Sequence, residues 1–548
     1  MKAKMVKLFI PLFFLVLGTT ACSDDNGSTD QGAVSTTRAP VTTTTEPPPE
    51  IFTMVVAATI SNADQAVSEG KPSSELTPLY SSTLVEYEKP AEGSAVWPSP
   101  SDVVASVAAS YTQTDAGYRF VLGDAVSPYG NAVTSADVEW SFDRVLANDG
   151  TGYWLMMLGT IDLEEPIEVV DDRTFILRVT DPGNPYAIGV LTYHHFGVLD
   201  SVEAQKHSTD DDPWASDWLS TNSASFGAYQ LTSIVPGESL RLAQNPNWSG
   251  SPLDIDEIVV RAVPEASARL VLVSSGEADF ADKLALDQFA AIQGHGDLQT
   301  IAAPGNTTVP LVLNSVYEPF ADARVRAAIS AAIDRDALVA GPMHGMAKPA
   351  LFQLLSEIPQ PPPPGPAAAQ DLARARELLN EAGYGGGFDF TLTVNSVRPG
   401  PFSEDLAVVL QSQLAEIGIK VKIEVATSSA DFQSAIYARS MQAWIGSQTP
   451  GISDPQFPWV LVHHSTKAFE NSHGYSNPRV DEIIDLLSTT QRGPERDALI
   501  TEGHAILLEE VPWVPLVETI NPITLGSEVE SFRMDIFRRV VATELSKR

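Results

Sequence analysis

The stretch that decides the fold runs from Phe226 to Asp279: FGAYQLTSIVPGESLRLAQNPNWSGSPLDIDEIVVRAVPEASARLVLVSSGEAD. Within it Leu240–Leu242 and Ile258–Arg261 read as strands, and beyond it Val309–Leu313 reads as another. Helices alternate with these strands along the chain. Thr134-Ser-Ala-Asp137 is a capping box with Asp in place of Glu, followed by Val138, Phe142, Val145 and Leu146 at helical spacing. Asp322 to Val339 sets Val325, Ala328, Ile329, Ala332 and Ile333 on one stripe and predicts a single amphipathic helix. Asp371 to Ala382 is a further helix, stopped by Gly383, and Leu406, Leu410, Leu414 and Ile417 mark another that ends at Gly418. Ile419 to Val425 alternates strictly, as a half-exposed strand does. Asn477-Pro478 opens a helix carrying Val480, Ile483, Ile484 and Leu487. The pattern is that of an α/β chain with mixed sheets. It has no internal repeat, and Pro359–Pro366 reads as a linker.

The N-terminus reads as a targeting device. Lys2, Lys4 and Lys7 precede a short apolar run, Leu8 to Leu17, followed by Gly18-Thr-Thr-Ala-Cys22. The run falls short of the roughly 20 apolar residues that a spanning helix needs, and its layout is that of a secretory signal over residues 1–21. Cys22 is the only cysteine in 548 residues, so no disulfide and no thiolate metal site is available. Residues 22–50 are rich in Ser, Thr, Asp, Gly and Pro and carry too little apolar surface to offset the entropy of ordering. They read as a disordered tether, with the globular body beginning near Ile51. The chain holds 34 basic and 70 acidic residues, a formal charge of −36. Dispersed acids describe a soluble, self-repelling surface and argue against nucleic acid, which needs clustered Lys and Arg.

Several segments carry a resemblance. Besides the opening stretch, these are Ala132–Arg144, Leu313-Asn314 with Pro319–Arg326 and Ala332–Arg335, Leu372–Tyr384, and Ala443–Trp459. In that order they resemble the extracytoplasmic solute-binding proteins of the oligopeptide/dipeptide/nickel class, which feed ABC importers. The resemblance implies a two-lobed Venus-flytrap fold with the solute enclosed between the lobes. It places lobe I at residues 51–308 and 495–548, with a peripheral subdomain near 76–185, and lobe II at 309–494. It also implies a lipobox around Cys22, hence a lipid-anchored extracytoplasmic protein. The expected partners are a small peptide-like solute and an ABC permease with its ATPase; the expected state is a monomer without cofactor or metal.

Candidate site residues follow from the same resemblance. Ala443-Trp444-Ile-Gly-Ser447 through Asp454-Pro455 to Trp459 resembles the family's W-x-x-D-x-x-D-P loop. In peptide-binding members its first Asp pairs with the ligand's α-ammonium group. Ser447 stands at that position, and a neutral hydroxyl cannot give the charge-assisted bond a carboxylate gives. Asp454 either takes over that role or serves as a turn or cap residue before Pro455. Trp444 is expected as a cleft wall; Trp459, Tyr129, Tyr153 and Trp154 either line the cleft or anchor loops on the core. Asn314 offers its amide to the cleft or caps the strand end, and Arg398, in the Asn395–Phe402 loop, suits an anionic solute. Ser68-Glu-Gly-Lys71 matches the S-x-x-K motif of penicillin-recognising enzymes, but lies in loop-like sequence without a K-T-G partner, so a hydrolase is the disfavoured alternative. His194-His195 and His463-His464 are adjacent pairs whose side chains point different ways, a poor arrangement for chelation. Gly383–Gly387 trails a helix and is no phosphate cradle.

Overall fold

The computed structural model describes residues 48–548 apart from 89–102, 149, 185, 295, 357, 364–368, 469–470 and 536. The expected signal segment, Cys22 and most of the tether lie outside the described residues.

Two unusually long strands organise the chain. Gln299–Leu313 and Trp513–Leu525 run antiparallel along almost their whole length, from Gln299 opposite Leu525 to Val312 opposite Trp513. At roughly 3.3 Å per residue they extend for about 40–50 Å, more than twice an ordinary strand. In chain order the strands of the main sheet are β1 (Ile51–Val56), β2 (Tyr229–Val235), β3 (Ser239–Gln244), β4 (Glu257–Ala262), β5 (Phe280–Asp282) and β6 (Gln299–Leu313). They continue with β7 (Ala347–Pro349), β8 (Asp389–Val394), β9 (Lys420–Val425), β10 (Ala443–Ile445) and β11 (Trp513–Leu525). Their order is β9-β8-β10-β6-β11-β5-β1-β4-β3-β2, with β7 beside β11. On one wing β1 runs parallel to β4 and β5; on the other β8 runs parallel to β9 and β10. Among the described residues the wings are joined in the sheet through β6 and β11 alone: β5 pairs with the Ile523–Leu525 end of β11, and β10 with the Leu311–Leu313 end of β6.

Each wing has its own core. Phe52, Met54, Leu240, Ile258, Phe280 and Ile523 pack under the first, and Leu311, Ile329, Leu392, Leu410 and Val514 under the second. A separate four-stranded antiparallel sheet, formed by Ala108–Thr114, Gly117–Leu122, Thr174–Arg178 and Ile167–Asp171, packs Phe120 and Phe175 in a 5.1 Å stack. It is covered by the helix Ser135–Ala147, whose Asp137 carboxylate accepts from the backbone N–H and hydroxyl of Thr134 at 2.8 Å each. The result is the two-lobed α/β architecture with an extra subdomain.

The crossing between lobes carries the irregularity. Pro304 faces Ile520 and Thr308 faces Glu518, so three residues of β6 oppose one of β11. A bulge of this kind bends the strand pair locally. Gly305 is needed there, because a Cβ would lie 1.8 Å from the Thr519 carbonyl oxygen.

Two expectations are corrected. Asp322–Val339 is not one helix: Ala323–Ala332 ends at an extended Ile333, and Asp334 caps a second helix, Arg335–Ala340, through a 3.0 Å bond from Ala337 N–H. The second boundary at 494/495 also shifts. The helix Pro494–Glu510 packs Ile500 and Leu507 against Val480, Ile483 and Leu487 of Pro478–Leu487. Arg326 of Ala323–Ala332 donates to the Glu510 and Val511 carbonyls at 2.6–3.0 Å. This helix therefore belongs with lobe II, and the chain returns to lobe I within β11.

The lobes meet at the segment after β10. Gly451 lies so close to Tyr193 that a Cβ would overlap the phenol, and Ile452 and Phe457 enter the subdomain's apolar cluster. Asp454 pairs with Arg496 at 2.6 Å and accepts from the Tyr186 hydroxyl at 3.0 Å, all three side chains being buried. Burial first, then the Asp454 charge, raises the Tyr186 hydroxyl well above its ordinary value. Asp454 is thus spent on a structural contact. Asp454→Ala, which strands the Arg496 charge, is expected to cost about 3–5 kcal/mol in urea unfolding, and Tyr186→Phe about 1.5–3 kcal/mol.

Four buried histidines add a pH dependence. Burial, chiefly, lowers His194 and His473 to about 3, His504 to about 4, and His463 well below its ordinary value. Unfolding frees each to protonate near pH 6.5, so their contribution is complete above that pH and is lost as pH falls from about 6.5 toward 4. Each loses up to about 1.4 kcal/mol per pH unit. Urea midpoints at pH 7.5, 5.5 and 4.5 check this: His473→Asn should lose less stability on acidification than the parent chain.

Candidate solute-binding site between the lobes

In open α/β sheets ligands settle outside the carboxyl ends of the parallel strands, where loops leave in diverging directions. Both wings offer such ends. In lobe II, β8 ends at Val394 and leads into the loop bearing Arg398, and β10 ends at Ile445 and leads into Gly446 and Ser447. In lobe I, β1 ends at Val56 ahead of the segment containing Lys71, and β5 ends at Asp282, just before Lys283.

The lobe II side is built around two of these loops. Asn395 shapes the first: its side-chain oxygen accepts from Val397 and Arg398 N–H at 2.9 and 3.0 Å, and its carbonyl accepts from the Ser403 hydroxyl at 2.9 Å. That turn carries Arg398 to Ser447, whose hydroxyl accepts from the guanidinium Nε at 3.1 Å. Ser447 thus presents a hydroxyl, not a carboxylate, beside a cation. Behind them Trp444 packs with Val312, Phe432, Val462 and Trp513. These residues, with His473, line a cavity of about 50 Å³, room for a few waters or one small side group. The His473 ring faces Trp513 at 6.2 Å, and its Nε2 is buried without a partner. Burial, reinforced by the charges of Arg326 and Arg439, keeps this imidazole neutral. A larger concavity of about 630 Å³ lies over β2–β4 and belongs to one lobe alone.

The loop after β10 is strapped to the crossing strand. Thr308 and Gln448 exchange two backbone bonds of 2.9 Å, and the Thr307 and Thr449 hydroxyls meet at 2.7 Å. Hinge, Ser447 and the Asp454 contact are therefore one mechanical unit.

The structure brings Trp444, Ser447 and Arg398 together and sends the other candidates elsewhere. Trp459 is fully buried in the helix Gln456–Val462, edge-on to His504 at 5.1 Å, and is a core residue. Asn314 is fully buried and clamps a strand end: its amide donates to the Arg439 and Met441 carbonyls at 3.1 and 2.8 Å. Tyr153 is half-buried on the helix Thr151–Leu158, whose Trp154 meets Phe457 at 6.1 Å. Tyr129 packs on Trp218 and donates to the Ser223 carbonyl.

The Ser68/Lys71 motif has one surprise, since Lys71 opens a short helix, Lys71–Leu76, instead of lying in a loop. Ser68 is nonetheless buried, its hydroxyl held by Ser73 Oγ at 2.6 Å and the Asn62 carbonyl at 2.9 Å. His464 bonds Asp485 at 3.2 Å while His463 turns into the core, and no group of three metal-binding side chains occurs among the described residues. Sequence reasoning missed His473, Trp513 and the lobe I cations Lys283 and Arg538, and it read Lys71 only as part of the S-x-x-K motif. His473, Trp513, Lys283 and Arg538 are scattered over the chain, and no local pattern marks them.

Comparison with known proteins fits this geometry. Residues 103–470 match the family described as "Bacterial extracellular solute-binding proteins, family 5 Middle". The glutathione-binding protein GsiB of Salmonella choleraesuis is 27% identical over 367 residues, covering 64% of this chain and 68% of its own. The probable D,D-dipeptide-binding periplasmic protein DdpA of Escherichia coli is 25% identical over 490 residues, 88% of this chain and 89% of that protein. Among solved structures, the ABC transporter-associated periplasmic binding protein DppA of Helicobacter pylori, in complex with the peptide STSA, superposes with a TM-score of 0.75 at 22% identity. That match covers 91% of this chain and 98% of DppA. With two thirds of its length matched and both lobes in place, the chain belongs to the bacterial extracellular solute-binding proteins of family 5.

Proposed function

We propose that this protein is the capture component of an ABC importer, holding a peptide-like solute between its lobes and passing it to a membrane permease and its ATPase. The observation that carries the reading is the pairing of two parallel-strand wings whose sheets are connected, among the described residues, through β6 and β11 alone. Such a connection lets the lobes swing without opening either core, and a solute touching both lobes favours the closed state by its differential affinity. Cys22 would hold the protein to the membrane by a lipid, and the folded body would act as a monomer without cofactor or catalysis. The site differs from an ordinary peptide site in one respect. Ser447 accepts from Arg398 and Asp454 is paired with Arg496, so neither supplies a free carboxylate for an α-ammonium group.

Two measurements test this. X-ray scattering on the signal-free protein should show compaction when the solute retained through native purification is added back to stripped protein; absence of any retained solute and of any compaction overturns the reading. Trp444→Ala and Arg398→Ala should each weaken binding by about tenfold or more, the worth of a buried aromatic contact or a charge-assisted bond. Trp459→Phe should leave affinity unchanged, because that ring lies in the core.

A further inference from the structure

The lobe I wall opposite Arg398 is basic in a chain with twice as many acids as bases. Lys283 Nζ lies 2.9 Å from one oxygen of Glu75, and Arg538 Nε 3.5 Å from the other. Lys71, on the same helix as Glu75, completes the group. The nearby Asp282 adds no free negative charge, since it faces Arg269 at 3.8 Å and Lys283 at 3.5 Å and accepts from Ala57 N–H. One carboxylate therefore stands among three cations, and no carboxylate lies within ion-pair reach of Lys71 among the described residues.

The wall is built, not incidental. Lys283 and Arg538 both adopt left-handed backbone, at φ 46° and 69°, a conformation that costs energy in non-glycine residues and gathers at functional sites. Arg269 fixes the first by donating to the carbonyls of Asp282 and Lys283 at 2.9 and 2.6 Å. Arg538 Nε is buried with no hydrogen-bond acceptor.

Lys71 is exposed to water yet so enclosed by protein atoms that desolvation lowers its ammonium to about 8, with Arg538, Lys283 and Arg398 adding to the effect. β10 and β8 run in the direction of β11 while β5 and β1 run against it, so the strand ends that lead to Arg398 and to Lys283 point toward each other along the crossing pair and set the two cations on facing walls.

We infer that the captured solute is an anion bearing at least two carboxylates, one taken by Arg398 beside Ser447 and another by the Lys71, Lys283 and Arg538 group. The inference rests on the capture function proposed above and specifies its cargo. A carboxylate bridging the groups neutralises like charges held together in a recess and draws the lobes closed. Lys and Arg on opposite walls also reject a cationic solute by repulsion, a discrimination that contacts to a neutral backbone do not provide.

The test is heat release and mass spectrometry of the solute retained by the full mature protein and by its Lys71→Gln/Lys283→Gln variant, both purified natively at low salt. The wild type should release a species whose carboxylates, counted by the mass gained on methyl esterification, number two or more. The variant, checked for an unchanged melting profile, should retain less than about a tenth as much, as expected on losing charge-assisted bonds. A neutral or cationic solute, a phosphorus-containing one, or equal retention by the variant overturns the inference while leaving solute capture intact. No retained solute, together with no compaction in scattering, instead removes the capture function on which it stands.

Discussion

The antiparallel pairing of β6 with β11 is the constraint on which the rest of the molecule depends. Among the described residues it is the only sheet contact between the wings, so it must transmit the position of one lobe to the other while letting them move. Its centre is bulged, three residues facing one, with Gly305 pressed against the Thr519 carbonyl. A regular ladder there would stiffen the crossing; a missing one would separate the lobes. Parallel strands on each wing then point their carboxyl ends toward loops that carry Arg398, Ser447 and Lys283, and the site follows from that arrangement.

Electrostatics divide the surface by task. The acids are spread over the exterior, where solvent screens them and repulsion keeps the protein dispersed. Lys283 and Arg538 are partly buried, where a charge counts for more, while Lys71 and Arg398 reach water. Neutral polar groups complete the picture: His473 stays unprotonated behind Trp444, with one ring nitrogen unpaired next to the small cavity. The segment from Gly446 to Pro455 links these features. It carries Ser447 to the candidate site, bonds the bulged strand through Gln448 and reaches the subdomain through Asp454.

Local signals survived intact. The Thr134/Asp137 box, the helix starts at Asp371 and Asn477 and the alternation over Ile419–Val425 all depend on neighbours within a turn or two, and each is observed except at the strand's end, where Val425 is exposed. Asp322–Val339 failed for an equally local reason: Asp334 is itself a cap, and the apolar stripe continued past the break because both short helices face one core. The candidate site was legible only through the family resemblance, at Trp444 and Ser447 in the W-x-x-D-x-x-D-P loop and at Arg398 in the Asn395–Phe402 loop. Asp454 and Trp459 lie in that same pattern but serve other ends, because their surroundings come from Tyr186, Arg496 and His504, which are remote in sequence.

The sequence by itself determined the kind of molecule: an acidic α/β chain with a leader-like start, and by resemblance a two-lobed binding protein whose peptide site lacks its first carboxylate. Periodicity, caps and composition are properties of neighbouring residues, so they can be read without coordinates. Only the tertiary structure decided where the chain crosses between lobes, that Asp454 neutralises Arg496, and that Lys71, Glu75, Lys283 and Arg538 converge. Those facts depend on contacts between residues up to several hundred positions apart, and a charge takes its meaning from what the fold places within a few ångströms of it.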